Sequence, residues 1–196
     1  MEKKLPVYDA LLNENEGDEI ELISFVTEPA IMRDFVYFKN TTPLKQYFNE
    51  EQRMIVSPVM IPELLIYRYN ESLGEYYVKF SANEIKKIQY QYTKDLNNNN
   101  TNLEHQFKMD GVVQLENWIK EFEVDKSSEY GFGDLPIGTW FAKYKIDNID
   151  LWDKIKAGTI KGLSIEGYLS YQLENNTKHS TQISLKDTIK NFLKKQ

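Results

Sequence analysis

Lys161-Gly162-Leu163-Ser164-Ile165-Glu166-Gly167-Tyr168 is an alternating run set with two glycines, and its reading decides the fold. Period-two geometry puts Ser164, Glu166 and Tyr168 on one face of a strand and Leu163 and Ile165 on the other. With the apolar pair turned to a core, the serine and the glutamate look outward together. Such a face is either plain solvated strand or the floor of a shallow cleft. A hydroxyl there becomes a reagent only beside a positioned base, so the chemistry depends on a partner elsewhere in the chain.

Upstream of this run the sequence is rich in strand signals. Glu19 to Val26 begins with alternation and becomes apolar throughout, Asp34 to Phe38 is a short second strand, and Arg53 to Ile61 is a strongly apolar third. Pro58 inside the third implies an edge or a bulge, because proline cannot donate to a ladder. Leu64–Tyr69 and Tyr76–Phe80 flank Asn70-Glu71-Ser72-Leu73-Gly74 as a hairpin. Ser81-Ala82-Asn83-Glu84 has capping-box spacing and opens a helix whose stripe is Ile85, Ile88 and Tyr92. The asparagine tract 97–100 is a loop ending at His105. Strands are expected within 111–124 and over 138–146, separated by a polar excursion around Asp125–Gly133. Asp147 can cap a short helix through Leu151, Trp152 and Ile155, with Gly158 as its left-handed terminator. After the opening run the strand continues to about Leu173; a turn follows, and Ser184 caps a final amphipathic helix with one apolar face and several lysines.

Seven or more strands with two or three helices predict a mainly β protein with peripheral helices (α+β), and a closed or nearly closed β-barrel is the natural way to bury them. The expected organisation is a flexible acidic lead-in over 1–18, a single β-barrel domain over 19–173, and a turn with a C-terminal amphipathic helix over 174–196. The 13 tyrosines, 10 phenylalanines and 3 tryptophans fit β-rich structure better than a helical bundle.

Composition removes several functions. With no cysteine, disulfides, thiolate nucleophiles and thiolate–zinc sites are out of reach. The two histidines, His105 and His179, belong to no HExxH pattern, and no metal or cofactor is expected. A net charge of −6 argues against nucleic acid as the partner, since phosphate contacts need clustered cations. No apolar run approaches a membrane span, and no apolar stretch follows Met1-Glu2-Lys3-Lys4 as in a signal peptide, so a cytoplasmic protein is expected.

If Ser164 is a nucleophile in ordinary serine hydrolysis, its base is a histidine, because imidazole titrates near working pH. His105 comes where a strand is expected to start after the asparagine loop, and His179 lies in the polar turn 176–180. On residues alone, both also fit surface or loop positions, and Glu166 also fits a solvated strand carboxylate.

Several segments in their order resemble a family. Thr101-Asn102-Leu103-Glu104-His105, Asp110–Val113, Glu116–Ile119, Gly138-Thr139-Trp140-Phe141, Trp152–Gly158 and Lys161–Gly167, with Val26–Ala30 and Arg53–Val56 upstream, resemble the XkdF-type serine proteases of tailed phages over roughly residues 19 to 172. That group is similar to prohead maturation proteases and to the herpesvirus assemblins, whose β-barrel is surrounded by helices. The resemblance implies that Ser164 is the nucleophile and His105 the base. It implies an enzyme that cleaves the scaffold and capsid proteins of an immature phage head, and itself, in the host cytoplasm, and it leaves room for a homodimer. Assemblins use a second histidine as third member and other phage enzymes an acidic residue. Glu166, in the matching Ser-Ile-Glu-Gly run, is favoured over His179. The chain departs from assemblins in lacking an arginine pair beyond the serine, since its only arginines are Arg33, Arg53 and Arg68. The alternative is a catalytically inactive head-assembly or binding protein of the same fold.

Overall fold

A computed structural model describes residues 5–28, 36–37, 52–173 and 180–184. In chain order the elements are β1 (Val7–Leu11), β2 (Glu19–Val26), β3 (Val36–Tyr37), β4 (Met54–Met60), β5 (Ile66–Asn70), β6 (Gly74–Lys79), α1 (Ala82–Lys94), β7 (Thr101–Leu103), β8 (Phe107–Lys108), β9 (Val112–Ile119), α2 (Lys126–Glu129), β10 (Trp140–Ile146), α3 (Ile149–Lys156), β11 (Gly162–Leu173) and β12 (Ser180–Ser184). The protein is mainly β, as its patterning predicts. The strands make two sheets: one ordered β5-β6-β1-β11-β2-β7-β8, with β12 also on β11, and a second ordered β3-β4-β10-β9. Among the described residues no pairing closes either path into a barrel.

One core lies between the sheets. Ile23 and Phe25 from β2, Leu163, Leu169 and Tyr171 from β11, and Ile55 and Val59 from β4 meet Trp140 and Tyr144 from β10. The stripe Ile85, Ile88 and Tyr92 of α1, and Leu151, Trp152 and Ile155 of α3, seal it. The other face of the small sheet is also covered, because Val56 and Phe141 pack against Phe132 and Leu135 of the 121–139 excursion. Burial on both faces is why β4 reads as an almost continuous apolar run rather than an alternating one. Pro58 sits where the β4–β10 register shifts between Trp140 and Phe141, and among the described residues β3 pairs with Ile55 and Val56, not with Pro58.

The lead-in expected over 1–18 is corrected from residue 7 onward. Val7–Leu11 is a strand paired antiparallel with β11 and parallel with β6, and Ala10 is fully buried. The carboxylate of Asp18, itself buried, accepts hydrogen bonds from the backbone N–H of Asn13 at 2.9 Å and of Ser170 at 2.7 Å. The acidic loop therefore folds back on β11 instead of trailing in solvent. Its inward-facing residues, Tyr8 and Ala10, are too weakly apolar to mark a strand.

The capping expectations hold with two changes. Ser81 Oγ accepts from Glu84 N at 3.2 Å, but the Glu84 carboxylate accepts from the N–H of Leu12 at 2.8 Å and so ties α1 to the loop after β1. The cap of α3 is Asn148 rather than Asp147, its Oδ1 accepting from Leu151 N at 2.9 Å. Gly158 ends that helix with φ +71°. The turn around 174–179, with His179, and the final helix after Ser184 lie outside the described residues.

Candidate active site

The site is built on a break in register. Strands β11 and β2 pair from Gly162↔Val26 through Ser164↔Ser24 to Glu166↔Leu22, and then the partner of Gly167 is Ile20. Glu21 is therefore the extra residue of a bulge in β2. The bulge switches the parity of β2, so that Ile20 as well as Ile23 and Phe25 can face the core. It also brings β2 close: a Cβ at Gly167 would meet Glu19 O at 2.0 Å. The glycine after Glu166 is required by that approach.

On the face opposite Leu163, three side chains form a row across three strands. Ser164 is in register with Ser24, and Ser24 with Asn102 of β7. The row is not solvated: Ser24 is fully buried, and Asn102, Ser164 and Glu166 are 7%, 8% and 5% exposed. The expectation that the serine and glutamate look out together is met, but onto a face that the β7–β8 turn covers.

That turn carries His105. Gln106 N donates to Leu103 O at 3.1 Å, and the two residues between, Glu104 and His105, have φ of +52° and +56°. Positive φ at both central positions belongs to tight hairpin turns that favour Asn or Gly, so this Glu-His pair stores backbone strain of order 1–3 kcal/mol per residue. Three bonds hold it in place. Glu104 N donates to Phe25 O at 3.0 Å, Glu104 Oε1 accepts from Thr27 N at 2.7 Å, and His105 N donates to Ser24 Oγ at 3.0 Å.

The His105 ring then reaches Glu166. His105 Nδ1 lies 3.0 Å from Glu166 Oε2, and the same oxygen accepts from Asn102 Nδ2 at 3.1 Å. A carboxylate so deeply buried needs such partners, since desolvation otherwise penalises its charge by several kcal/mol. An ionised Glu166 accepts from Nδ1–H, which leaves Nε2 as the basic nitrogen of the ring. His105 hangs from Ser24, and Ser24 is the cross-strand neighbour of Ser164. Side chains directly opposite on such a pair have Cβ atoms about 4.5–5.5 Å apart.

The structure thus gathers all three sequence-predicted residues, Ser164, His105 and Glu166, on one face. Among the described residues no group of three or more His, Asp or Glu side chains is arranged for a metal ion, and no helix is long and apolar enough to cross a membrane.

Residues 44–172 match the family model described as "Putative phage serine protease XkdF". The chain belongs to this family. No curated protein and no solved structure matches it. The matched segment of this XkdF-family protein runs from before β4 almost to the end of β11 and includes His105, Ser164 and Glu166. Ser24 lies outside it, on β2, so the residue that pins the His105 backbone comes from the preceding part of the chain.

Sequence reasoning passed over Ser24 and assigned Asn102 no role. Each carried a faint signal: Ser24 is a lone hydroxyl between Ile23 and Phe25 on an otherwise apolar strand end, and Asn102 is the residue before Leu103-Glu104-His105.

Proposed function

We propose that this protein is a serine endopeptidase in which Ser164 is the nucleophile, His105 the general base and Glu166 the residue that orients the imidazole. The observation that carries the reading is the 3.0 Å contact of His105 Nδ1 with the buried Glu166 carboxylate, two residues along the strand from Ser164. Held by Glu166, the ring presents Nε2 as base. It takes the Ser164 Oγ proton as that oxygen bonds to the scissile carbonyl carbon. The C–N bond then breaks, with the same proton delivered to the leaving amine. Water attacks the acyl-enzyme by the reverse proton path and frees the serine. Glu166 stabilises the imidazolium that forms at each step, and Asn102 keeps the carboxylate from turning away.

On this reading the substrates are the scaffold and capsid proteins of an immature phage head, and the chain itself, cleaved inside the assembling head in the host cytoplasm. The two sheets would form the walls of an assemblin-like barrel; their shared core, across which β11 meets β4, supports that view. The serine-protease description of the family supports the chemistry.

A fluorophosphonate probe should label the wild-type protein, spare Ser164→Ala and label His105→Ala far more slowly. Co-expression with a scaffold protein should give cleavage that both substitutions stop. Equal labelling of wild type and Ser164→Ala would overturn the reading, and an assembly protein without turnover would then be the better account.

A further inference from the structure

Strands β2 and β7 run parallel, pairing Ile23↔Thr101, Ser24↔Asn102 and Phe25↔Leu103. A parallel ladder spaces its bonds evenly, with alternate residues of each strand facing the other. The end rungs of this one are Ile23 N to Asn100 O at 3.3 Å and Glu104 N to Phe25 O at 3.0 Å. Continued by the same two-residue step, the next rung would join Thr27 N to the main-chain carbonyl of Glu104. The structure replaces that rung. Thr27 N donates to Oε1 of the Glu104 side chain at 2.7 Å, and the Glu104 backbone has turned to φ +52°.

The replacement decides where the sheet ends. With its rung taken by its own side chain, the Glu104 carbonyl is released from the ladder, and the chain can enter the left-handed turn that Gln106 N closes on Leu103 O at 3.1 Å. His105 is the second residue of that turn, at φ +56°. An extended Glu104 would satisfy Thr27 N with its carbonyl and carry the next residue onward along β2, away from the Glu166 Oε2 that His105 Nδ1 meets at 3.0 Å. The carboxylate thus selects between two backbones, a strand continued or a turn folded back over Ser24. Two segments that stand out in the sequence, Val26–Ala30 and Thr101–His105, meet at this one bond.

We propose that Glu104 is the positioning residue for the general base: by standing in for its own main-chain carbonyl, its side chain ends the ladder just before His105 and so holds the imidazole against Glu166. The catalytic consequence rests on the proposed protease reading; the hold on the ring does not. Because the partner is an amide N–H, the position requires an acceptor oxygen at the end of a glutamate-length side chain rather than a negative charge. Glutamine meets that requirement. Alanine has no acceptor, and asparagine, one methylene shorter, falls short of Thr27 N although it accepts left-handed φ more readily than glutamate does.

Substitutions at Glu104 with two readouts test this. Glu104→Gln should react with the fluorophosphonate probe within about 3-fold of wild type, whereas Glu104→Ala and Glu104→Asn should react about 10- to 100-fold more slowly, the loss that a small displacement of a catalytic group produces. Asparagine separates positioning from folding. Because it eases the turn, Glu104→Asn should melt within about 3 °C of wild type and still lose labelling. The second readout needs no chemistry at Ser164. In protein carrying His179→Gln, His105 is the only histidine, and NMR spectra of its ring nitrogens report the tautomer directly. The parent and Glu104→Gln proteins should show the proton fixed on Nδ1, and the alanine and asparagine variants the exchanging tautomers of a free imidazole. The inference is overturned by labelling and ring spectra that stay unchanged in Glu104→Ala and Glu104→Asn, by a Glu104→Gln protein that loses as much as Glu104→Ala, or by losses that only track the unfolded fraction. A wild type that never labels, yet fixes the Nδ1 proton in the parent and Glu104→Gln proteins alone, would remove the protease reading and keep the positioning role. Labelling that depends on Ser164 and ignores every change at Glu104 would do the reverse.

Discussion

Replacing Gly167 by alanine places one methyl group where two strands are closest. The new Cβ would lie 2.0 Å from Glu19 O and 2.8 Å from Ile20 Cα, and both are backbone atoms that cannot rotate away. Restoring an ordinary contact requires β2 to give by about 1.4 Å, beyond what a ladder bond tolerates. Two or so bonds on either side of the bulge then weaken, at about 1 kcal/mol each, and the overpacking itself costs about 1–3 kcal/mol. The expected destabilisation is roughly 3–5 kcal/mol, which for a chain of this length lowers Tm by roughly 10 °C. Circular-dichroism melts of Gly167→Ala and wild type, with Ser164→Ala as a packing-neutral control on the same strand, read the effect directly. Because Glu166 precedes the bulge, fluorophosphonate labelling of the folded fraction should slow as well. A Gly167→Ala protein melting within about 2 °C of wild type would refute the register described here, since no arrangement with Glu19 O at that distance accepts a methyl group for so little.

Other substitutions probe the site and its surroundings. Glu166→Gln should leave melting nearly unchanged but slow fluorophosphonate labelling about 10²- to 10⁴-fold, the range expected when a base loses its orientation; unaltered labelling would remove Glu166 from the mechanism. Ser24→Ala takes away the acceptor of the His105 N–H and should destabilise by about 1–3 kcal/mol in urea melts while also slowing labelling. Glu116 gives a pH test: burial raises its pKa, but hydrogen bonds from Lys126 and Lys143 outweigh that and leave it below the ordinary carboxylate value. A pKa lowered by folding stabilises the protein above the unfolded-state value and stops doing so as pH falls through the folded one. Glu116→Gln should therefore destabilise the protein at about pH 7, by less than about 1 kcal/mol for so exposed a group, and the gap in Tm between the two proteins should close as pH falls below the carboxylate range.

Much of the architecture is local and was therefore readable in the chain. Alternation in Gly162–Tyr168, the apolar run of β4, the Asn70–Gly74 turn and the Ser81 cap each follow from backbone geometry over a few residues. Candidate chemistry was legible for a different reason: with no cysteine and two histidines, elimination leaves few bases for Ser164. What the chain could not state is which partners lie across space. Lys120 reads as a surface residue, yet it is fully buried with Nζ donating to the carbonyls of Gly133 and Leu135, because the excursion folds over it. Glu84 was expected to cap its own helix and instead holds Leu12.

The same division runs through the site. The sequence by itself determined that Ser164 and Glu166 share a face, because side chains two apart on a strand must do so. It determined a core on the opposite face, through Leu163, and a short list of bases. Only the tertiary structure decided that the shared face is buried, that β7 runs parallel to β2 at Asn102, and that a strained turn hung from Ser24 brings His105 to Glu166 across 61 residues of chain. Periodicity constrains neighbours along one strand; the pairing of strands distant in sequence, and the bulge that sets their register, are fixed by how the whole core packs.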